Sequence, residues 1–141
     1  MTLKLFSASG RLMSKNITKY LIKWNRPSKS KLQFKVKQFL RPYWQYQSVY
    51  EEFPVYGTRM SVDLLNLTRK IAIEVNGPQH RKFNEFFHNN SKAVYLDSIK
   101  RDWKKTEWLE KNGFRLIEIE DKEVDGVTVE FIKNKFGVDI S

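Results

Sequence analysis

The stretch Ile71–His80, IAIEVNGPQH, constrains the fold of this chain more than any other. It opens as a run of apolar, β-branched residues, the composition of a buried strand. One carboxylate, Glu74, interrupts that run. Gly77-Pro78 then stops it, because that pair cannot continue a ladder and marks a turn. Gln79 and His80 follow directly and set two polar side chains just past the strand end. Eleven residues before Glu74 stands Asp63, inside the strand-like MSVDLLNL, and Asn66-Leu67-Thr68-Arg69 between them reads as a hairpin loop.

With Thr68 near the hairpin centre, cross-strand partners have numbers summing to about 135–137, and period-2 alternation assigns the faces. For an odd sum, Asp63, Ala72, Glu74 and Asn76 share one face. Val62, Leu64, Ile71, Ile73 and Val75 share the other, an apolar surface expected to pack on a helix. Two close carboxylates repel, and a divalent cation with oxygen ligands is the usual relief. The competing interpretation is a solvent-facing hairpin with scattered polar groups. The Asn-Gly-Pro-Gln-His continuation favours a site.

An Asp, a loop, then apolar-Glu-x-(Asp/Asn)-Gly-x-x-His resembles the pattern of the PD-(D/E)XK nucleases. The branch it is most similar to contains the very-short-patch-repair mismatch endonucleases and the phage-type homing endonucleases. The downstream Asp102-x-x-Lys105-x-x-x-Leu109-x-x-x-Gly113 matches that branch too, and the resemblance covers roughly Lys29 to Ile119. It implies that Asp63 and Glu74 bind magnesium and that His80 assists hydrolysis. Asn76 falls where the wider superfamily has lysine, which leaves open what orients the water. The family's first helix carries a glutamate aimed at the metal, and Gln33 is the candidate for that position. A surface glutamine is the plain alternative.

Charge adds the partner. The net charge of +10 is one-sided: residues 1–50 hold eleven Lys and Arg with no Asp or Glu, whereas residues 51–141 hold fifteen basic and sixteen acidic residues. Such a segment supplies the phosphate-binding part of nucleic-acid affinity. An anionic membrane surface is its main rival. The absence of cysteine excludes a disulfide scaffold, a cysteine nucleophile and any thiolate metal site. No apolar run approaches the roughly 20 residues of a membrane span. At 141 residues one domain is expected. Residues 1–26 form a basic arm or helix, and 27–141 the nuclease core.

Along the chain, Ser14 is placed to cap a short helix through about Trp24, with Ile17, Leu21 and Trp24 at helical spacing. Ser28 or Ser30 starts a second helix to about Leu40, ended by Arg41-Pro42, with Leu32, Val36, Phe39 and Leu40 as its apolar stripe and its lysines mainly off it. Tyr46–Phe53 reads as a strand. Its Glu51 and Glu52 are candidates for a third carboxylate. Arg59 contacts a phosphate or pairs with one of those acids. Tyr95–Asn112 reads as a helix with Leu96, Ile99, Trp103, Thr106 and Leu109 on its inner arc and Trp108 outside. Asp102 in that arc needs a partner, His80 or Lys105, unless it is exposed at the edge. Lys105 is placed to reach the scissile phosphate. Phe114–Ile119 is a strand, Gly113 before it a helix C-cap, and Val127–Phe136 a last helix.

The expected fold is α/β, a small mixed sheet flanked by helices. The expected function is a magnesium-dependent, or manganese-dependent, endonuclease on double-stranded DNA, with Asp63, Glu74 and the Val75 carbonyl on the metal. His80 would serve as base, and Gln79 or Asn76 would place the water. Lys15, Lys19, Lys23, Arg26, Lys29, Lys31, Lys35 and Arg59 would lie along the backbone. The resemblance favours a homing endonuclease, a homodimer working in the cytoplasm of a bacterial or phage-infected cell without a small-molecule cofactor. A junction resolvase, a mismatch-nicking enzyme and a non-catalytic nucleic-acid-binding protein on a decayed nuclease core are the alternatives.

Overall fold

A computed structural model describes residues 1–77 and 92–141, with side chains from Lys100 onward in the second segment, Arg101 excepted. Four strands form the central sheet in spatial order along the chain: β3 (Val49–Pro54), β4 (Ser61–Asn66), β5 (Ile71–Asn76) and β6 (Arg115–Glu120). The first three run antiparallel, and β6 lies parallel to β5. The mixed α/β sheet expected from the sequence is therefore present.

Each face of the sheet buries its own core. On one side, α1 (Lys31–Trp44) and α3 (Val129–Phe136) cover Leu64, Ile71, Ile73, Ile117 and Ile119 with Val36, Leu40, Trp44 and Ile132. On the other side, α2 (Lys92–Lys111) and an N-terminal ribbon cover Phe53, Val62, Leu65 and Ala72 with Trp108, Leu109 and Leu5. Ser30 caps α1 by accepting from the Gln33 N–H, and Thr128 caps α3 by accepting from the Phe131 N–H. Gly137 ends α3 at φ 69°, a left-handed conformation that glycine adopts without penalty. Among the described residues no helix is long and apolar enough to cross a membrane.

Four sequence expectations need correction. Residues 14–24 are not a helix. Thr2–Phe6 (β1) and Leu12–Asn16 (β2) pair antiparallel as a two-stranded ribbon, followed by a 3-10 turn at Thr18–Tyr20. The apolar residues that matter are Leu3 and Leu5, alternating inward, and Ser7–Gly10 supplies the turn, with Gly10 at φ 89°. The helix α1 does not stop at Arg41-Pro42. It continues to Trp44, because Trp44 is fully buried and its indole N–H bonds the Ile140 carbonyl at 3.0 Å. Lys37, expected to lie off the apolar stripe and in solvent with the other lysines, is fully buried.

The inner face of α2 is rotated as well. Trp108 is buried at 1% exposure, its ring tilted against Tyr56 at 6.0 Å and Phe53 at 6.4 Å, while Trp103 is 66% exposed. Leu96 and Ile99 lie outside the residues whose side chains are described. Trp108→Ala is expected to destabilise the protein by about 3–5 kcal/mol, the usual cost of emptying a large aromatic site. Trp103→Ala should stay within about 0.5 kcal/mol. Equal losses in denaturant unfolding would show the assigned helix face to be wrong.

Candidate active site

The site begins where the β4–β5 ladder ends. Backbone pairing runs through Asn66↔Ile71, Leu65↔Ala72 and Leu64↔Ile73 and goes no further. Beyond it the two carboxylates replace the ladder. The Asp63 N–H donates to Glu74 Oε2 at 2.8 Å, and the Val75 N–H donates to Asp63 Oδ2 at 2.8 Å. Each acid therefore satisfies a backbone donor of the opposite strand, which would otherwise be left unpaired as the strands part.

The regular two-face hairpin is not retained here. Val62 packs in the same core as Leu65, three residues on, so alternation breaks between them. The matching irregularity on β3 is Glu52, at φ 51°, a left-handed conformation unusual for a non-glycine residue. It turns Glu51 and Glu52 toward the same helix, α1. There Gln33 Nε2 donates to Glu51 Oε2 at 2.9 Å and to Glu52 Oε2 at 3.0 Å. Gln33 is fully buried, and its Oε1 has no hydrogen-bond partner among the described residues. Gln33 is therefore not a surface glutamine, and its amide meets the carboxylate pair on β3 rather than Asp63 or Glu74.

Lysines from three places neutralise the acids. Lys29, just before α1, lies 2.6 Å from Asp63 Oδ1 and 3.5 Å from Glu52 Oε1. Lys37 lies 3.0 Å from Glu51 Oε1 and also donates to the Arg26 carbonyl. Lys105, on α2, donates to Glu74 Oε1. The result is a connected polar chain from Lys37 through Glu51, Gln33, Glu52, Lys29, Asp63 and Glu74 to Lys105. Lys105 was expected in the site. Lys29 was expected on the DNA backbone and sits instead on a site carboxylate. Lys37 was missed, although a lysine four residues after Gln33 was a usable signal that the acids of β3 had a partner. Arg59 is exposed, and Lys37 and Lys29 pair with the acids it was placed beside.

Glu74 titrates unusually. Burial raises its pKa, the nearby Asp63 charge raises it further, and Lys105 only partly offsets both, leaving it at about 7. Lys29 is shifted upward as well. Burial pulls against its charged form, but the Asp63 hydrogen bond and the charges of Asp63, Glu52 and Glu74 outweigh that.

A cleft of about 360 Å³ opens beside Glu74 between α2 and the β5–β6 edge, lined by Asn76, Asp102, Lys105, Glu118 and Glu120. Asn76 lines it with its side-chain amide on Glu120 Oε1 at 3.3 Å. Asp102 is exposed and lines this cleft. Gln79 and His80 lie outside the described residues. The other cations expected to lie along DNA are spread over the surface. Lys19, Lys23, Arg26 and Lys31 are exposed, Lys35 pairs with Asp125 at 2.9 Å, and Lys15 lies over the Tyr56 ring.

Among the described residues no group of three or more His, Cys, Asp or Glu side chains is arranged to hold a metal. The pair Asp63–Glu74 nonetheless suits one. Its donors are carboxylate oxygens, which hard divalent cations prefer. Burial and the Asp63 charge together raise the Glu74 pKa, and a bound cation would relieve that repulsion.

Comparison with known proteins adds one relative. Over 66 residues the chain is 38% identical to "Uncharacterized protein 033L" of Invertebrate iridescent virus 3, a match covering 47% of this chain and 34% of that protein. No family model matches, and no solved structure matches.

The Glu74 shift has a consequence for metal-free stability. A carboxyl that ionises near 4.5 when unfolded and near 7 when folded holds an extra proton in the native state between those values. Its contribution to stability is therefore present below about pH 4.5 and lost as pH rises to about 7. The loss is on the order of 3 kcal/mol. In chelator, the stability difference between wild type and Glu74→Gln should move by that order against wild type over this range, measured by urea unfolding. Parallel pH profiles would contradict the burial and charge assigned to Glu74.

Proposed function

We propose that this chain is a metal-dependent endonuclease acting on double-stranded DNA. The observation that carries the proposal is the Asp63–Glu74 pair, buried at Asp63 and partly buried at Glu74, at the open end of a strand ladder and flanked by Lys29 and Lys105. The acid-free, basic first 50 residues support a polyanionic substrate. So does the resemblance of Asp63, Glu74 and His80 to the nuclease pattern.

Asp63 and Glu74, with the Val75 carbonyl, are the residues that would hold magnesium or manganese. Bound there, the ion would polarise the phosphodiester and make water a stronger nucleophile. Lys105 keeps an ammonium group beside Glu74, a fixed positive charge suited to the extra charge on a phosphorane. Lys29 does the same beside Asp63 and ties that carboxylate to Glu52. Gln33 and Lys37 hold Glu51 and Glu52 and so position Lys29 indirectly. His80, six residues past Glu74, is assigned as the general base, and Gln79 and Asn76 as groups that orient water. Cleavage at a specific site, as in homing endonucleases, is the finer form of the proposal, and cutting both strands would require two copies of this single site.

A second interpretation has one observation in its favour. Both carboxylates already carry lysine ammonium groups, and Gln33 stands where the resembled family has an acid, as in a nuclease core kept only for binding. Nicking of supercoiled plasmid separates the two. With magnesium or manganese the wild type should cut, chelator should stop it, and Asp63→Ala or Glu74→Ala should abolish it while leaving DNA binding intact. Lys105→Ala should slow cleavage about 10²–10³-fold, and His80→Ala about 10²–10⁴-fold. Binding without any metal-dependent cutting would favour the non-catalytic interpretation.

A further inference from the structure

The N-terminal ribbon is held to the domain almost entirely by its inner face and its backbone. Leu5 is buried in the second core, and Leu3 and Met13 pack against it. The Trp108 indole N–H donates to the Phe6 carbonyl at 2.6 Å, and the Tyr56 hydroxyl donates to the Leu3 carbonyl at 2.9 Å. The Asn112 side chain accepts from the Phe6 N–H at 2.8 Å. At the turn, the Ala8 N–H donates to the Tyr56 carbonyl, and a Cβ on Gly57 would stand 3.1 Å from Ser7 Cβ. That Tyr56–Gly57 turn leads directly into β4 and Asp63.

The outer face does none of this anchoring through its central side chains. Register places Lys4 opposite Ser14 and Phe6 opposite Leu12, with Arg11 at the turn. Lys4, Arg11 and Ser14 are exposed, and the apolar pair is exposed too, Phe6 at 43% and Leu12 at 55%. Among the described residues none of these five side chains takes part in the hydrogen bonds that anchor the ribbon, so this face is suited to contact something else.

We infer that this outer face of the ribbon, Lys4, Phe6, Arg11, Leu12 and Ser14, enters the major groove of duplex DNA and reads base edges. The inference rests on the proposed action on DNA and adds where sequence is recognised. A two-stranded antiparallel ribbon fits the major groove of B-DNA, about 12 Å wide. Its side chains match the chemistry displayed there: Lys and Arg for guanine O6 and N7, a hydroxyl for either donor or acceptor, and apolar groups for the thymine methyl. The occupant's charge follows from the ribbon's setting, in a segment of eleven cations and no acids. A-form RNA is excluded as the duplex because its major groove is too narrow and deep for such an element. This assignment differs from one in which cations of the first segment only touch phosphates. Lys15, on the inner face, lies 5.4 Å over the Tyr56 ring and is not part of the reading surface.

The experiment selects binding sites for the full chain from a randomised duplex library in chelator, so that no cleavage intervenes. Wild type is compared with Lys4→Ala/Arg11→Ala/Ser14→Ala and with Phe6→Ser/Leu12→Ser, all checked by thermal unfolding. Wild type should enrich a defined motif. At least one variant with wild-type unfolding should lose discrimination between that motif and random duplex by about tenfold or more. Its affinity for random duplex should fall far less. Enrichment of the same motif by both variants with unreduced discrimination overturns the ribbon as reader and leaves action on DNA standing. Equal weakening on every sequence also overturns it, because that is the signature of phosphate contact alone. A wild-type chain that binds duplex without preference overturns it likewise, and one that binds no duplex overturns the proposed function as well.

Discussion

The exchange of backbone donors between β4 and β5 is the interaction on which the rest of the site depends. Where the ladder stops, Asp63 accepts from the Val75 N–H and Glu74 accepts from the Asp63 N–H. The carboxylates therefore cannot move apart without leaving buried N–H groups unpaired. Nor can they sit this close without an electrostatic penalty. The protein holds both conditions at once, and burial together with the Asp63 charge raises the Glu74 pKa to about 7.

Two lysines distant in sequence offset that penalty, Lys29 from the residues before α1 and Lys105 from α2, and Glu52 on β3 holds Lys29 in place. The left-handed backbone at Glu52 is a local cost, of order 1–3 kcal/mol for a non-glycine residue. It allows two consecutive acids to face α1, where Gln33 and Lys37 receive them. Strain at that position is consistent with a network retained for its geometry rather than for stability, since buried ion pairs alone are weak stabilisers.

Much of this was legible in the sequence, for identifiable reasons. The Asn66–Arg69 loop and the apolar runs on either side defined the central hairpin, because turn chemistry and β-branched composition are local signals. Glu74 and Asp63 stood out as acids inside such runs, and Lys105 at helical spacing near them. What local signals could not supply was the position of Lys29 on Asp63, 34 residues away, or the burial of Lys37 against Glu51. Both are tertiary facts in which a charge of one element meets an acid of another. The ribbon was missed because Ile17, Leu21 and Trp24 imitate a helical stripe, while the alternation of Leu3 and Leu5 is only two residues long. On α2, Trp103 and Trp108 compete for the inner face, and only the aromatic cluster of Phe53 and Tyr56 decides for Trp108.

The most direct measurement is calorimetric titration of magnesium, and then manganese, into the metal-free protein at pH 6. Two buffers of different ionisation enthalpy would be compared. With Glu74 ionising near 7, the account predicts one ion per chain and release of roughly 0.9 proton per ion bound. It also predicts loss of that binding in Asp63→Asn. A wild-type chain that binds neither ion, or an Asp63→Asn variant that binds as wild type does, would contradict the claim that this carboxylate pair is a metal site.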